Sequence, residues 1–223
     1  MSRINNTSVV GTLCRPLNVG GEVAPKPLVF FDFDETLTTR DTVWLFVTFL
    51  LNQKPYRHTT RIAVCALNAL LKLHLVPNHY FKKYLIRLLL REEPEREMAS
   101  ISARFHETYL DSILNRKIFQ CLVRHRIQGN DVYLVSSNFD FVLKPLQQKW
   151  NLKGIIATQT EISAGRFTGR LLGHTCHGEE KVTRVIAQFG KERVTQAVAY
   201  GDSASDLFLL KSVRTGYLIR AGS

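Results

Sequence analysis

Asp32 and Asp34 flank a single phenylalanine directly after the apolar run LVFF, and Thr36 follows two residues later. Ser136, Ser137 and Asn138 close a second apolar run in DVYLVSSN, and Asp202, Ser203 and Asp206 follow a third in QAVAYGD. Runs of four to eight apolar, β-favouring residues read as buried strands, so each polar cluster stands at a strand end. Four carboxylates brought together repel one another and would titrate abnormally high unless something neutralises them. A divalent cation is the simplest partner, and an all-oxygen shell suits Mg²⁺. Lys181, at the start of a predicted helix, adds a positive charge. A metal, a lysine, hydroxyl groups and two neighbouring carboxylates make a set for phosphoryl transfer. One carboxylate can attack phosphorus to give an aspartyl phosphate. The other can protonate the leaving oxygen and later deprotonate water.

These residues need a scaffold that gathers distant segments. After the strand at Leu28, the stretch 42–129 reads as almost wholly helical, with breaks at Lys54-Pro55, Pro77 and Pro94, and so as an inserted helical layer. From Asn130 the rhythm becomes strand, helix, strand: DVYLVSS, a helix from Phe139 to Trp150, then GIIAT. A hairpin turning near Ala164-Gly165 follows, then a helix from Glu179 to Phe189, the strand QAVAYGD, a helix from Ser205 to Lys211 and a last strand GYLIR. Alternation of this kind predicts an α/β fold with a mainly parallel sheet and helices on both faces. The carboxyl ends of such strands share one edge, so the three polar clusters converge there. Residues 1–27, rich in Asn, Ser, Gly and Pro, read as a flexible N-terminal arm.

DFDETLT, VYLVSS, EEKV and GDSASD, in that order and spacing, resemble the four motifs of the haloacid dehalogenase superfamily, in its phosphoserine-phosphatase-like branch with a helical cap after the first strand. The resemblance implies a Rossmann-like catalytic core over 28–41 and 130–223, with 42–129 as the cap. It further implies Asp32 as nucleophile and Asp34 as general acid/base. Mg²⁺ would be held by the Asp32 side chain, the Asp34 backbone carbonyl and Asp202, with Asp206 directly or through water. Ser136 would bind phosphoryl oxygens, and Lys181 would pair with Asp32 and the phosphoryl group. Where phosphoserine phosphatases usually carry Gly-Gly after the motif serine, this chain has Ser137-Asn138, and Glu35 stands where a small residue is commonest. Such departures bear on substrate rather than reaction. DETLTTRDT with CHGEEKV also resembles the branch that includes phosphatidylglycerophosphatase.

The chain has 223 residues, 45% of them hydrophobic, and a formal net charge of +11, which favours acidic partners. From Thr42 to Arg91 there are eight Lys or Arg and no Asp or Glu. Lys83, Arg87 and Arg91 form a stripe against a broad apolar face. Either these helices pack as an ordinary lid with solvated basic residues, or they lie against an anionic membrane as peripheral elements. No nucleic-acid motif accompanies the charge, so nucleic acid is not an expected partner. Four cysteines without CxxC spacing, no continuous apolar leader and no apolar run long enough to span a bilayer point to reduced thiols and a cytoplasmic protein.

Thr36, Arg40, Asp41, Ser137 and Asn138 are the substrate-side candidates. Asp41 either meets a donor group on the substrate or caps the following helix, and Arg40 either meets a second anion or is solvated. His174, Cys176 and His177 either hold structural zinc or belong to a substrate-side loop or to buried packing. The expected activity is Mg²⁺-dependent hydrolysis of a phosphate monoester, on a phosphorylated small molecule or a phospholipid. Phosphotransfer and non-catalytic binding of a phosphorylated ligand are the alternatives.

Overall fold

The computed structural model describes residues 3–5, 25–54, 56 and 58–220. A six-stranded sheet, every neighbouring pair parallel, forms its centre. In chain order its strands are β1 (Arg3–Asn5), β2 (Leu28–Phe31), β3 (Asp131–Phe139), β4 (Gly154–Thr158), β7 (Val198–Gly201) and β8 (Thr215–Leu218). They lie in the spatial order β1-β8-β7-β2-β3-β4. Between β4 and β7 the chain forms an antiparallel pair, β5 (Thr160–Ser163) and β6 (Arg166–Leu171). Most of the expected arm lies outside the described residues; Arg3–Asn5 of it joins the sheet edge as β1.

β2 is buried along its whole length because both faces of a parallel sheet are covered. Its side chains alternate between two cores. Val29 and Phe31 pack with Val132 and Leu134, with Ile118 and Leu122 of α5 (Arg116–Ile127), and with Leu143 and Leu146 of α6 (Asp140–Lys149). Leu28 and Phe30 pack on the opposite face with Val185 of α7 (Glu179–Phe189) and with Leu209 and Leu210 of α9 (Leu207–Ser212). A short helix α8 (Lys191–Thr195), absent from the sequence reading, links α7 to β7.

The insertion contains α1 (Thr42–Gln53), α2 (His58–Lys72), α3 (Asn78–Leu90) and α4 (Glu95–Ile113) before α5. Pro77 and Pro94 occupy the N-cap positions of α3 and α4, where the missing N–H does no harm. Phe46, Leu50, Leu85, Leu89, Met98 and Phe105 build a separate core, which continues into the molecule through Phe139, Phe141 and Phe167. α5, although within 42–129, buries its apolar side against the sheet. The two ends of α1–α4 are stitched together: Thr39 N–H donates to Ile113 O (2.7 Å) and Asn115 N–H to Leu37 O (2.8 Å). Ala164 (φ +48°) and Gly165 (φ +72°) turn the β5–β6 hairpin, both in the left-handed region that two-residue hairpin turns use. No helix among the described residues is long and apolar enough to cross a membrane.

Candidate active site

Asp32 follows β2 immediately, and its backbone N–H donates to Tyr200 O of β7 (2.9 Å), so the sheet itself fixes its position. Lys181, in the first turn of α7, is buried. Its Nζ donates to Asp32 Oδ1 and Asp206 Oδ1, each at 2.5 Å. Asp206 Oδ2 accepts from Ser203 N (3.0 Å), Ser203 Oγ (2.6 Å) and Asp202 N (3.3 Å), which locks the β7–α9 turn around it. Thr36 Oγ1 donates to Asp202 Oδ1 (2.8 Å). One carboxylate oxygen each from Asp32, Asp202 and Asp206 lies within 4.8 Å of the others.

Burial pushes Asp32 well above the usual carboxylate range, although Lys181 opposes the shift. Burial likewise raises Asp202 to about 6. For Asp206 the burial penalty is outweighed by Lys181 and the Ser203 hydrogen bonds, so its carboxyl titrates low. Carboxylates this close and this dry are stable as anions only beside more positive charge than one lysine supplies. An all-oxygen trio with that shortfall fits Mg²⁺, which would be held by Asp32, Asp202 and Asp206.

Asp34 lines one cavity with Asp32. Its Oδ1 accepts from Thr42 N (2.7 Å) and Thr42 Oγ1 (2.5 Å), and its Oδ2 from Asn138 Nδ2 (3.1 Å). Burial, with Asp41 nearby, raises its carboxyl to about 6, suited to exchanging a proton near neutrality. Over these groups lies a cavity of about 580 Å³, lined by Asp32, Asp34, Lys181, Asp202 and Asp206 below and by Lys82, Phe81 and Leu71 of the insertion above.

The pattern of the haloacid dehalogenase-like hydrolases matches residues 29–211. The chain belongs to that family. Among family relatives, a histidinol-phosphatase of Neisseria meningitidis serogroup C (strain 8013) is 27% identical over 207 residues, covering 84% of this chain and 87% of its own. A protein of unknown function from Bordetella pertussis Tohama I has the same fold, with a TM-score of 0.76 at 24% identity over 86% of this chain and 89% of that one. A phosphoserine phosphatase solved as an analogue of its phospho-aspartyl intermediate has a TM-score of 0.59 at 19% identity, covering 86% of both chains. The family fold, α/β and Rossmann-like with a mainly parallel sheet, is the one anticipated from the motifs.

Within this haloacid dehalogenase-like site, Asp32, Asp34, Asp202 and Asp206 from strand ends and Lys181 from a helix start come together. The candidates for the substrate side divide differently. Asp41 caps α1, its Oδ1 accepting from Val43 N (2.7 Å), and also lines the cavity. Ser137 lines the cavity, whereas Ser136 is fully buried, its Oγ accepting from Asn138 N (3.1 Å). The register of β3 on β4 shifts between Ser136 and Phe139, and this irregularity turns Ser137 toward the cavity. Asn138, at the same shift, points inward and bridges Asp34 to Thr42 Oγ1 (2.8 Å) instead of facing substrate. Thr36 is buried against Asp202, and Arg40 is exposed away from the cavity.

Cys176 is buried with its Sγ–H directed at Ile156 O (3.7 Å), the arrangement of a packed thiol, and burial raises that thiol to about 11. His177 instead lines the catalytic cavity. Glu35 has φ +60°, the left-handed region, which is the physical reason a small residue suits that position.

Lys82 escaped the sequence reading. It is 3% exposed, donates to both Ser137 O and Ser137 Oγ, and burial lowers its ammonium to about 8 despite Asp34 and Asp41. The available signal was a charge on the buried face of α3, in step with Phe81, Leu85, Ile86 and Leu89.

Proposed function

We propose that this chain is a Mg²⁺-dependent phosphatase that hydrolyses a phosphate monoester through an aspartyl phosphate on Asp32. The observation that carries the reading is the buried Lys181 bridging Asp32 and Asp206 beside Asp202, directly under a cavity large enough for a phosphorylated small molecule. A bound Mg²⁺ held by the three aspartates would withdraw charge from the phosphoryl oxygens and offset the carboxylates.

Asp32 attacks phosphorus, the ester P–O bond breaks, and the Asp34 carboxyl gives its proton to the leaving oxygen. Water then attacks the phosphoryl group while Asp34 takes its proton. The Asp32–phosphorus bond breaks, releasing inorganic phosphate and restoring both aspartates. Lys181 orients Asp32 and favours its anionic form ahead of attack, and Thr42 with Asn138 fixes the carboxyl plane of Asp34. Ser137 and Lys82 are placed to meet phosphoryl or other anionic oxygens. Glu35 and Asp41, at the cavity wall, suit a substrate with a donor or ammonium group beyond the phosphate. An alcohol in place of water would make the same intermediate a phosphotransfer step.

Phosphate release from a chromogenic phosphate ester, with and without Mg²⁺, tests the reading. Asp32→Asn should reduce turnover at least about a thousandfold, leaving the circular dichroism spectrum unchanged. Undiminished turnover in that variant would remove the mechanism.

A further inference from the structure

Lys83, Arg87 and Arg91 stand on the outward side of α3. Facing them across a cavity of about 530 Å³ is β6, which adds Arg170, while His79 and Tyr84 complete the wall. Arg170 is paired with Glu161 (2.8 Å), but among the described residues Lys83, Arg87 and Arg91 form no ion pair. The two walls are firmly joined. Glu92 N–H donates to Phe167 O (2.8 Å) and Phe167 N–H to Glu93 O (2.9 Å). Gly169, at φ +79°, permits the close approach, since a Cβ there would meet Arg91 Cβ at 3.1 Å.

A second cavity, about 510 Å³, lies between α2 and α3 and is lined by Ala63, Ala66, Leu67, Leu70 and Leu88. Tyr84, Arg87 and Arg91 line both cavities, so a cationic pocket and an apolar groove share one ridge. The α2–α3 turn, at the N-terminal end of α3, leaves Leu73 66% and Leu75 67% exposed. The whole segment from Thr42 to Arg91 carries eight basic residues and no acidic one.

From this juxtaposition we infer that the α2–α3 face docks on an anionic phospholipid bilayer, with a headgroup phosphate in the Lys83/Arg87/Arg91 pocket and acyl surface against Leu70, Leu73, Leu75 and Leu88. Exposed leucines beside unpaired cations fit a surface that is anionic outside and hydrocarbon beneath; a nucleic acid would leave those leucines in water. The inference concerns binding and stands independently of the chemistry at Asp32.

Co-sedimentation of the full chain with phosphatidylcholine vesicles, with and without phosphatidylglycerol, decides it. Binding should require the anionic lipid and fall at least about tenfold in Arg87→Glu/Arg91→Glu, since each basic residue near such a surface contributes on the order of a fivefold gain. Leu73→Ser/Leu75→Ser, at exposed positions where the fold is not at stake, should lower it as well. Asp32→Asn should bind as the wild type does, because docking does not depend on turnover. Equal partition onto neutral and anionic vesicles, or charge-reversed protein that still binds, would overturn the inference. So would binding of inorganic phosphate or single-stranded RNA at this pocket without any vesicle binding.

Discussion

Lys82 couples the helical insertion to the candidate site through a single side chain. Its ammonium holds Ser137 from above while facing the field of Asp34 and Asp41, so it adds positive charge where substrate anions would arrive. Replacing it with Met keeps most of the packing volume and removes the charge. Lys82→Met should therefore lower kcat/KM by about ten- to a hundredfold, the usual worth of a charged hydrogen bond, in steady-state kinetics. The aspartates and Lys181 were readable because each stands just beyond an apolar strand run or at a helix start. Lys82 was not, because its role depends on which way α3 faces once docked. Which of Ser136 and Ser137 lines the cavity was hidden for a similar reason: a strand irregularity alters direction without changing composition.

At the level of elements, the β7–α9 turn has little tolerance. A Cβ at Gly201 would lie 2.6 Å from Asp206 Cβ and 2.8 Å from its Cγ, closer than packed carbon atoms come. Gly201→Ala should push Asp206 off Lys181 and Ser203. We expect a fall of at least about tenfold in kcat/KM and a loss of about 1–3 kcal/mol of stability, measured by activity and urea denaturation on the same preparation. Element types were well forecast: the helix over 179–189, the hairpin turn and the breaks at Pro77 and Pro94 fall where the sequence put them. The helix α8 was not, since it has only five residues, too few for a helical period to register.

Across the whole molecule, two buried histidines tie stability to pH. His106 Nε2–H donates to Val142 O (2.7 Å), joining α4 to α6, and His125 lies between Tyr200 Oη and Asn130 Nδ2, each at 2.9 Å. Burial lowers both rings from 6.5 to about 4. Between those values the unfolded chain holds more protons than the folded one, so acidification favours unfolding. The stability is fully present above about pH 6.5 and is lost as pH falls toward 4, by on the order of 3 kcal/mol per ring. Urea midpoints measured across this range should decline less steeply in a His106→Gln/His125→Gln variant than in the wild type. The stitching at Leu37–Thr39 and Ile113–Asn115 has a separate consequence. Because the chain leaves and re-enters the catalytic body at one point, the loop between is already closed. Lengthening such a closed excursion costs only about 0.6 kcal/mol per doubling. Descendants of this chain are thus free to vary the excursion in size and surface, acquiring new substrates and new resting places, while the residues that break the phosphate ester stay where they are.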